Sequence, residues 1–207
     1  CASHTGLTLG EDGATQQILE DIGLMKMLPG MTFINPTDYR QTKVATKAIA
    51  DYKGPVYLRF GRPGWPVFLP EDECFELGKA YKLNDGNDVS LIATGHMLWY
   101  AVEAARKLES QGISVDLINI HTIKPLDEAA ILKSVMKTGC CVVAEEHQMY
   151  GGLGESIAGA LARRHPSPMA FVAVKDSFGE SGQPAQLLEK YGLSIDNIVS
   201  AVKGLLA

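Results

Sequence analysis

The second half of the chain alternates short apolar runs with amphipathic helical segments, and this order strongly limits the possible fold. Runs of strand length occupy residues 89–95, 114–120, 140–146 and 170–176. In the segment after the first run, Leu98, Val102, Ala105 and Leu108 recur at helical spacing. Strands that alternate with helices form parallel sheets covered on both faces. We therefore predict an α/β fold in which residues 88–207 form a small doubly wound domain.

The first 65 residues show a shorter pattern of the order αβαβ. We predict helices over residues 15–28, with Thr15 as N-cap, and from Thr37 or Asp38 to residue 52, and strands at residues 31–35 and 55–60. Two strands are too few for a stable sheet, so residues 1–65 are predicted to be an incomplete parallel segment that cannot stand alone. Residues 66–87 lack a sustained periodicity and are predicted to be a linker or an irregular crossover.

Charge and composition exclude several classes of partner. The 19 basic and 24 acidic residues give a net charge of −5 and are scattered along the chain, so we expect no nucleic-acid or membrane-surface partner. No apolar run approaches the roughly 20 residues that cross a bilayer, and no signal-peptide pattern opens the chain, so a cytoplasmic location is expected. The cysteines lack metal-ligand spacing, and Cys140 and Cys141 are expected to be buried thiols.

The stretch SHTGLTLGEDGATQQ, residues 3–17, is the first candidate site. It combines His4, Glu11 and Asp12 with several glycines before a predicted helix. Backbone N–H groups at such a turn suit an anion or a polar ligand, and His4 adds a further donor. A solvated, acidic loop before a helix explains the same residues without a function. Because the chain opens on Cys1 inside this loop, we also expect it to be part of a longer protein.

Arg62, in the stretch RFGRPG, follows a predicted buried strand. Ligands bind beyond the carboxyl ends of parallel strands, and a guanidinium group at that edge can hold a phosphate or a carboxylate. The alternative is a surface arginine beside a proline that ends the strand. If Arg62 and His4 converge, a phosphorylated substrate is the natural inference.

Two further stretches are predicted to be structural. AEEHQMYGGLGE, residues 144–155, lacks the full pattern of a dinucleotide-binding loop, so structural or interface roles are expected for Glu145, Glu146 and His147. HTIKPLD, residues 121–127, is predicted to be a turn before a helix, with Asp127 near the helix start.

SHTGLTLGEDGATQQ, RFGRP, IKPLD, AEEH and GGLGESIA, in this order, resemble the C-terminal half of transketolase. That family uses thiamine diphosphate to move two-carbon ketol units between sugar phosphates. By resemblance, residues 1–65 are the end of the pyrimidine-binding domain and residues 88–207 are the C-terminal domain. The resemblance also implies that His4 and Arg62 bind the sugar phosphate and that Asp12 recognises a hydroxyl. Gln16 would line the cofactor cleft, where many members carry a histidine, and its amide can bind but cannot shuttle a proton.

The resemblance also implies what this chain lacks. In the family, the glutamate that activates the cofactor lies upstream of the GEDG loop. The ligands of the cofactor's diphosphate and of Mg or Ca lie in another domain, so no catalytic or metal-binding residue is assigned here. The expected partners are sugar phosphates, the remaining transketolase domains or an N-terminal subunit, and a second copy in a homodimer. The chain alone is expected to be inactive. Alternatives are deoxyxylulose-phosphate synthase, the β-subunit of a 2-oxo acid dehydrogenase, and a non-catalytic dimerisation or regulatory domain.

Overall fold

A computed structural model describes residues 1–70 and 75–207. The helices are α1 (Asp21–Lys26), α2 (Tyr39–Ala50), α3 (Met97–Glu109), α4 (Glu128–Thr138), α5 (Leu153–Arg164), α6 (Pro184–Lys190) and α7 (Ile195–Leu206). The strands are β1 (Thr32–Ile34), β2 (Val56–Leu58), β3 (Tyr81–Asn84), β4 (Val89–Ala93), β5 (Val115–Asn119), β6 (Thr122–Lys124), β7 (Cys141–Gln148) and β8 (Met169–Val174). A 3₁₀ helix at Leu7–Asp12 precedes them.

The larger sheet confirms the doubly wound prediction for the second half. Its order is β3-β5-β4-β7-β8, and the four strands from β5 to β8 in that order run parallel. Apolar residues of α3 and α7 pack on one face, and those of α4 and α5 pack on the other. All five residues of β4 are buried. A strand covered on both faces reads as a continuous apolar run, which explains why the sequence pattern found it.

Strand β3 corrects the prediction of a linker at residues 66–87. It pairs antiparallel with β5 and forms one edge of the larger sheet. Only Tyr81 and Leu83 pack on the core, and both are partly buried. Four residues with two apolar side chains give too short an alternation to identify a strand from sequence.

The smaller sheet, of order β2-β1-β6, joins the two halves of the chain. Strands β1 and β2 are parallel, as predicted. The third strand, β6, comes from the stretch predicted to be a turn, and it pairs antiparallel with β1. The first half therefore completes its sheet with a strand from the second half, a long-range pairing that no local pattern of three residues reveals.

The helix predicted over residues 15–28 is wrong in its first part. Helix α1 begins only at Asp21, and residues 14–20 are irregular. Ile18 O accepts a hydrogen bond from Gly6 N, and the buried Gln17 Nε2 donates to Gly10 O at 3.0 Å. Tertiary hydrogen bonds thus replace those of a helix, and Thr15 caps none.

Three other helices start with a side-chain cap. Asp38, Asp127 and Ser194 accept hydrogen bonds from backbone N–H groups three residues ahead, in α2, α4 and α7. Cys140 and Cys141 are buried and free, Cys1 is exposed, and Cys74 lies outside the described residues. Within the described ranges, no helix has the length and apolar character required to cross a membrane.

Candidate functional site

The N-terminal segment runs along β2 and brings two of the predicted residues to the same end of that strand. Ala2 N donates to Leu58 O at 2.7 Å, and Phe60 N donates to Ala2 O at 3.0 Å. His4 therefore lies just beyond this pairing on one segment, as Arg62 does on the other. The His4 side chain is exposed and its Nδ1 lies 2.7 Å from Ser3 Oγ, so it contacts its neighbour rather than Arg62.

Asp12 and Arg62 form an ion pair at the mouth of a cleft. Arg62 Nη1 donates to Asp12 Oδ2 at 2.9 Å, and each side chain is 48% exposed. Glu11 accepts a hydrogen bond from Gln183 instead, so the two adjacent carboxylates face different neighbours. The cleft has a volume of about 280 Å³, and its lining includes Thr8, Gly10, Glu11, Arg62 and Pro184. Charged groups of both signs are therefore accessible here to a polar ligand.

Gln16 and Gln17 have different environments. Gln16 is exposed, whereas Gln17 is buried and its Nε2 donates to Leu7 O, Gly10 O and Glu180 O at 3.0–3.3 Å. This one amide links the 3₁₀ helix to the segment before α6. Sequence analysis did not identify Gln17, because nothing local separates a structural glutamine from its exposed neighbour.

Sequence analysis also missed a buried ion pair between Arg59, one residue beyond β2, and Asp21, the first residue of α1. Arg59 Nε donates to Asp21 Oδ1 and Oδ2 at 3.1 and 2.9 Å, and both residues are buried. Arg59 Nη2 also donates to Glu146 O at 2.9 Å. Burial, followed by the Asp21 charge, raises the pKa of Tyr57 to about 12, so its hydroxyl stays a donor to Asp21. A buried arginine requires a carboxylate partner. The position of Arg59 at the end of a predicted buried strand was therefore the sequence signal for this ion pair.

The three polar residues at the end of β7 have structural contacts within the chain, as predicted. Glu145 accepts hydrogen bonds from Leu153 N and Gly154 N at 2.7 and 2.8 Å, at the start of α5. Glu146 Oε1 accepts from Thr8 N at 2.6 Å. Burial raises the pKa of Glu145 to about 7 and that of Glu146 to about 6.

His147 is the third of these residues, and it holds the start of α1. Its Nδ1 donates to Gln148 O at 2.7 Å, and its Nε2 accepts from Ile22 N and Gly23 N at 3.2 and 3.4 Å. These partners require a proton on Nδ1 and none on Nε2. Burial lowers the pKa of His147 to about 4, so this neutral form is retained near neutral pH.

His96 completes the layer under the 3₁₀ helix. Its ring stacks on Trp65 at a centroid distance of 4.3 Å, and its Nδ1 lies 3.4 Å from Thr8 Oγ1 and 3.8 Å from Glu146 Oε2. Burial lowers the pKa of His96 to about 4, so its ring is neutral. His96 therefore supports the loop as an uncharged group.

Comparisons with known proteins identify the two halves. Residues 1–66 match the family model for the transketolase pyrimidine binding domain, and residues 78–198 match that for the transketolase C-terminal domain. The chain belongs to the transketolase family. The incomplete first sheet is thus the end of a pyrimidine-binding domain, and the larger sheet is the transketolase C-terminal domain.

Individual relatives agree with this assignment. The chain is 43% identical over 200 residues to a 6-deoxy-6-sulfo-D-fructose transketolase subunit of Clostridium sp., covering 96% of this chain and 62% of that protein. It is 40% identical to a putative transketolase C-terminal section of Methanocaldococcus jannaschii, covering 97% of this chain and 64% of that protein.

A solved structure is also similar to this chain. It is described as a split gene transketolase, an inactive beta4 tetramer, and it aligns with a TM-score of 0.92 and 41% identity. The alignment covers 99% of this chain and 65% of that one. The chain therefore spans less than two thirds of the length of these relatives.

The transketolase family implies thiamine diphosphate in the complete enzyme. Across residues 1–70 and 75–207, no group of three or more His, Cys, Asp and Glu side chains is arranged to hold a metal ion. The described residues therefore include no such cluster through which the cofactor could be anchored by a metal. The exposed Gln16 amide and His4 imidazole are compatible with contacts to its organic part or to a substrate.

Proposed function

We propose that this chain is the C-terminal portion of a thiamine-diphosphate-dependent transketolase that transfers two-carbon ketol units between sugar phosphates. The observation that carries the proposal is the accessible Asp12–Arg62 pair at the mouth of the cleft, in a chain of this family. The pair supplies a guanidinium group that can bind an anion and, next to it, a carboxylate that can accept a hydrogen bond from a hydroxyl.

Arg62 binds the substrate phosphate in this proposal. A guanidinium group matches two phosphate oxygens, and half of the Arg62 side chain is already accessible. Its pairing with Asp12 does not prevent this, because an exposed ion pair contributes only about 0–1 kcal/mol and a doubly charged phosphate competes effectively. His4, at the same end of β2, donates a second hydrogen bond to that anion.

Asp12 and Gln16 orient the sugar and the organic part of the cofactor. Released from Arg62 by the incoming phosphate, the Asp12 carboxylate accepts a hydrogen bond from a sugar hydroxyl. Gln16 donates or accepts through its amide and moves no proton. When bound, thiamine diphosphate supplies the nucleophilic carbon and the electron sink for carbon–carbon bond cleavage. This chain contributes orientation, which accelerates a reaction by holding the reacting groups in place.

The complete enzyme requires a further portion. The relatives are longer, and the residues described here do not form a metal site. We propose that the remaining transketolase domains, on the same chain or on a separate subunit, hold the metal and the diphosphate. The proposal includes a role in the pentose phosphate pathway in the cytoplasm and assembly with a second copy.

An assay of the complete enzyme tests this function. We expect ketol transfer from xylulose 5-phosphate to ribose 5-phosphate, and we expect Arg62→Ala to raise KM for the donor by about tenfold or more through loss of a charged hydrogen bond. Arg163→Ala is the matched control, since Arg163 forms an exposed pair with Glu128 at 2.8 Å on α5 and α4. It should leave KM unchanged.

Other outcomes contradict the proposal. Condensation of pyruvate with glyceraldehyde 3-phosphate, without ketol transfer, would assign the chain to a deoxyxylulose-phosphate synthase. A complete protein that self-associates but shows no sugar-phosphate binding by calorimetry would support the dimerisation or regulatory alternative. Equal KM values for the Arg62→Ala and Arg163→Ala variants would show that Arg62 does not bind the substrate.

A further inference from the structure

The C-terminal domain holds the opening loop, which we define as residues 4–20, through the end of β7. We propose that Glu146 is a positioning residue: its hydrogen bond to Thr8 N fixes the 3₁₀ helix that carries Asp12, and so sets Asp12 beside Arg62. The proposal rests on the proposed function in one respect, namely that this loop binds substrate.

The contact between Glu146 and the loop is close and buried. Glu146 is 5% exposed, and its Oε1 accepts from Thr8 N at 2.6 Å. A hydrogen bond to an ionised carboxylate is shorter and stronger than one between neutral groups. The loop approaches so near that a Cβ on Gly6 would lie 2.4 Å from Glu146 Cδ, and Gly6 has a φ of +84°. Both the space and the backbone angle at position 6 therefore require glycine.

Two more contacts fix the same loop to the C-terminal domain. His147, the residue after Glu146, accepts hydrogen bonds from the first turn of α1, just beyond the end of the loop. Gln17 donates to Glu180 O at 3.0 Å and also to Leu7 O and Gly10 O. The 3₁₀ helix and the far end of the loop are thus held by consecutive residues of one strand in a well-packed sheet. Such support keeps Asp12 and Gln16 in a fixed arrangement before any substrate arrives.

Glu145 provides a matched comparison on the same strand. It is also buried and also accepts backbone hydrogen bonds, but it projects to the opposite face of the sheet. Its partners are Leu153 N and Gly154 N in α5. Substitution of either glutamate removes a buried carboxylate from β7, whereas only Glu146 touches the loop.

Amide hydrogen exchange in this chain tests the positioning directly, without catalysis. Glu146→Ala should speed exchange of the Thr8 amide and of the 3₁₀ helix by about tenfold or more, the effect of losing a charged hydrogen bond. Glu145→Ala should speed exchange of Leu153 and Gly154 and leave Thr8 unchanged. Unchanged exchange at Thr8 in Glu146→Ala, or equal acceleration there in both variants, would overturn the proposal. If Glu146→Ala does not fold, Glu146→Gln against Glu145→Gln gives the same comparison, with smaller acceleration at Thr8 for the first only.

Kinetics of the complete enzyme then separate positioning from general stability. Glu146→Ala should lower kcat/KM for the ketose phosphate by about 10- to 100-fold, since displacement of a substrate-orienting group by about 1 Å has an effect of this size. Glu145→Ala should remain within about twofold of wild type, and Glu146→Gln, which retains an acceptor for Thr8 N, should recover most of the loss. Equal losses in the two alanine variants, or no recovery by glutamine, would contradict the proposal. If the wild-type enzyme shows no ketol transfer, the proposed function fails, and hydrogen exchange alone then decides the role of Glu146.

Discussion

At the scale of single residues, His147 depends on one protonation state. Its Nε2 accepts hydrogen bonds from the first turn of α1, and its Nδ1 donates to Gln148 O. A proton added to Nε2 would remove that acceptor and place a charge in a buried position. The same burial that lowers the pKa of His147 to about 4 acts on His96 and His121, whose pKa values are also lowered to about 4.

These histidines make the folded chain sensitive to acid. As the pH falls from 6.5 towards 4, the unfolded chain binds protons that the folded chain excludes, so the free energy of unfolding decreases. The raised pKa values of Glu145 and Glu146 have the opposite effect on the free energy of unfolding, because the folded chain then binds protons that the unfolded chain does not. Both glutamates are present in the wild-type chain and in the His147 variant described next, so their effect is the same in the two proteins.

We predict that His147→Gln reduces this acid sensitivity. A glutamine side-chain oxygen can still accept from Ile22 N, but it does not titrate. Between pH 6.5 and 5.5, the wild-type chain should lose roughly 1 kcal/mol more unfolding free energy than the variant, as one excluded proton requires. Urea unfolding at the two pH values measures the difference. An identical pH dependence in the two proteins would show that His147 does not titrate as proposed.

Single residues of the candidate site differ in how well the sequence predicts them. Arg62 could be singled out because it follows a buried strand, at an edge where parallel sheets bind ligands. Its contact with Asp12, 50 positions away, could not be derived from spacing, because it depends on the path of the opening loop. Gln17 was missed for the same reason, since its role comes entirely from three backbone carbonyls brought to it by the fold.

At the scale of elements, prediction succeeded where a segment is long and buried by its own neighbours. Strands β4, β5 and β7 read as apolar runs because they lie inside the larger sheet. Helices α3, α4 and α5 have a clear helical periodicity because each packs one face against that sheet. Strands β3 and β6 have three or four residues and exist through pairing with β5 and β1, which are distant in sequence. Local patterns carry no information about such pairings.

The start of α5 illustrates a close approach between elements, and it supplies the next prediction. A Cβ on Gly152 would lie 2.4 Å from Glu145 Oε1, the carboxylate that accepts from the first turn of α5. Gly152→Ala should therefore lower the free energy of unfolding by about 1–3 kcal/mol through overpacking. Urea unfolding measures this change.

Gly159, in the same helix, is the matched control. A Cβ there would meet only Arg163 Nη1 at 3.5 Å, an ordinary contact. Gly159→Ala should raise the free energy of unfolding by about 0.5–1 kcal/mol, because alanine favours a helix interior. Similar effects of the two substitutions would mean that Glu145 does not constrain Gly152.

At the scale of the whole molecule, the end of the pyrimidine-binding domain and the C-terminal domain form one interlocked unit. Strand β6 of the second half completes the smaller sheet, and the end of β7 supports the opening loop of the first half. The candidate substrate residues therefore belong to one domain and their support to the other. The chain nevertheless spans only 62–65% of the Clostridium and Methanocaldococcus relatives and of the split gene structure. The proposed function therefore includes a further portion that holds the cofactor.

The most direct test of this account is a mixing experiment. Ketol transfer from xylulose 5-phosphate to ribose 5-phosphate is measured with thiamine diphosphate and Mg²⁺, for this chain alone, for the remaining transketolase portion alone, and for the two together. We predict no transfer by either portion alone and transfer when they are combined, with a raised KM when the chain carries Arg62→Ala. Transfer by this chain alone, or a folded complex of both portions that transfers no ketol unit, would contradict the account.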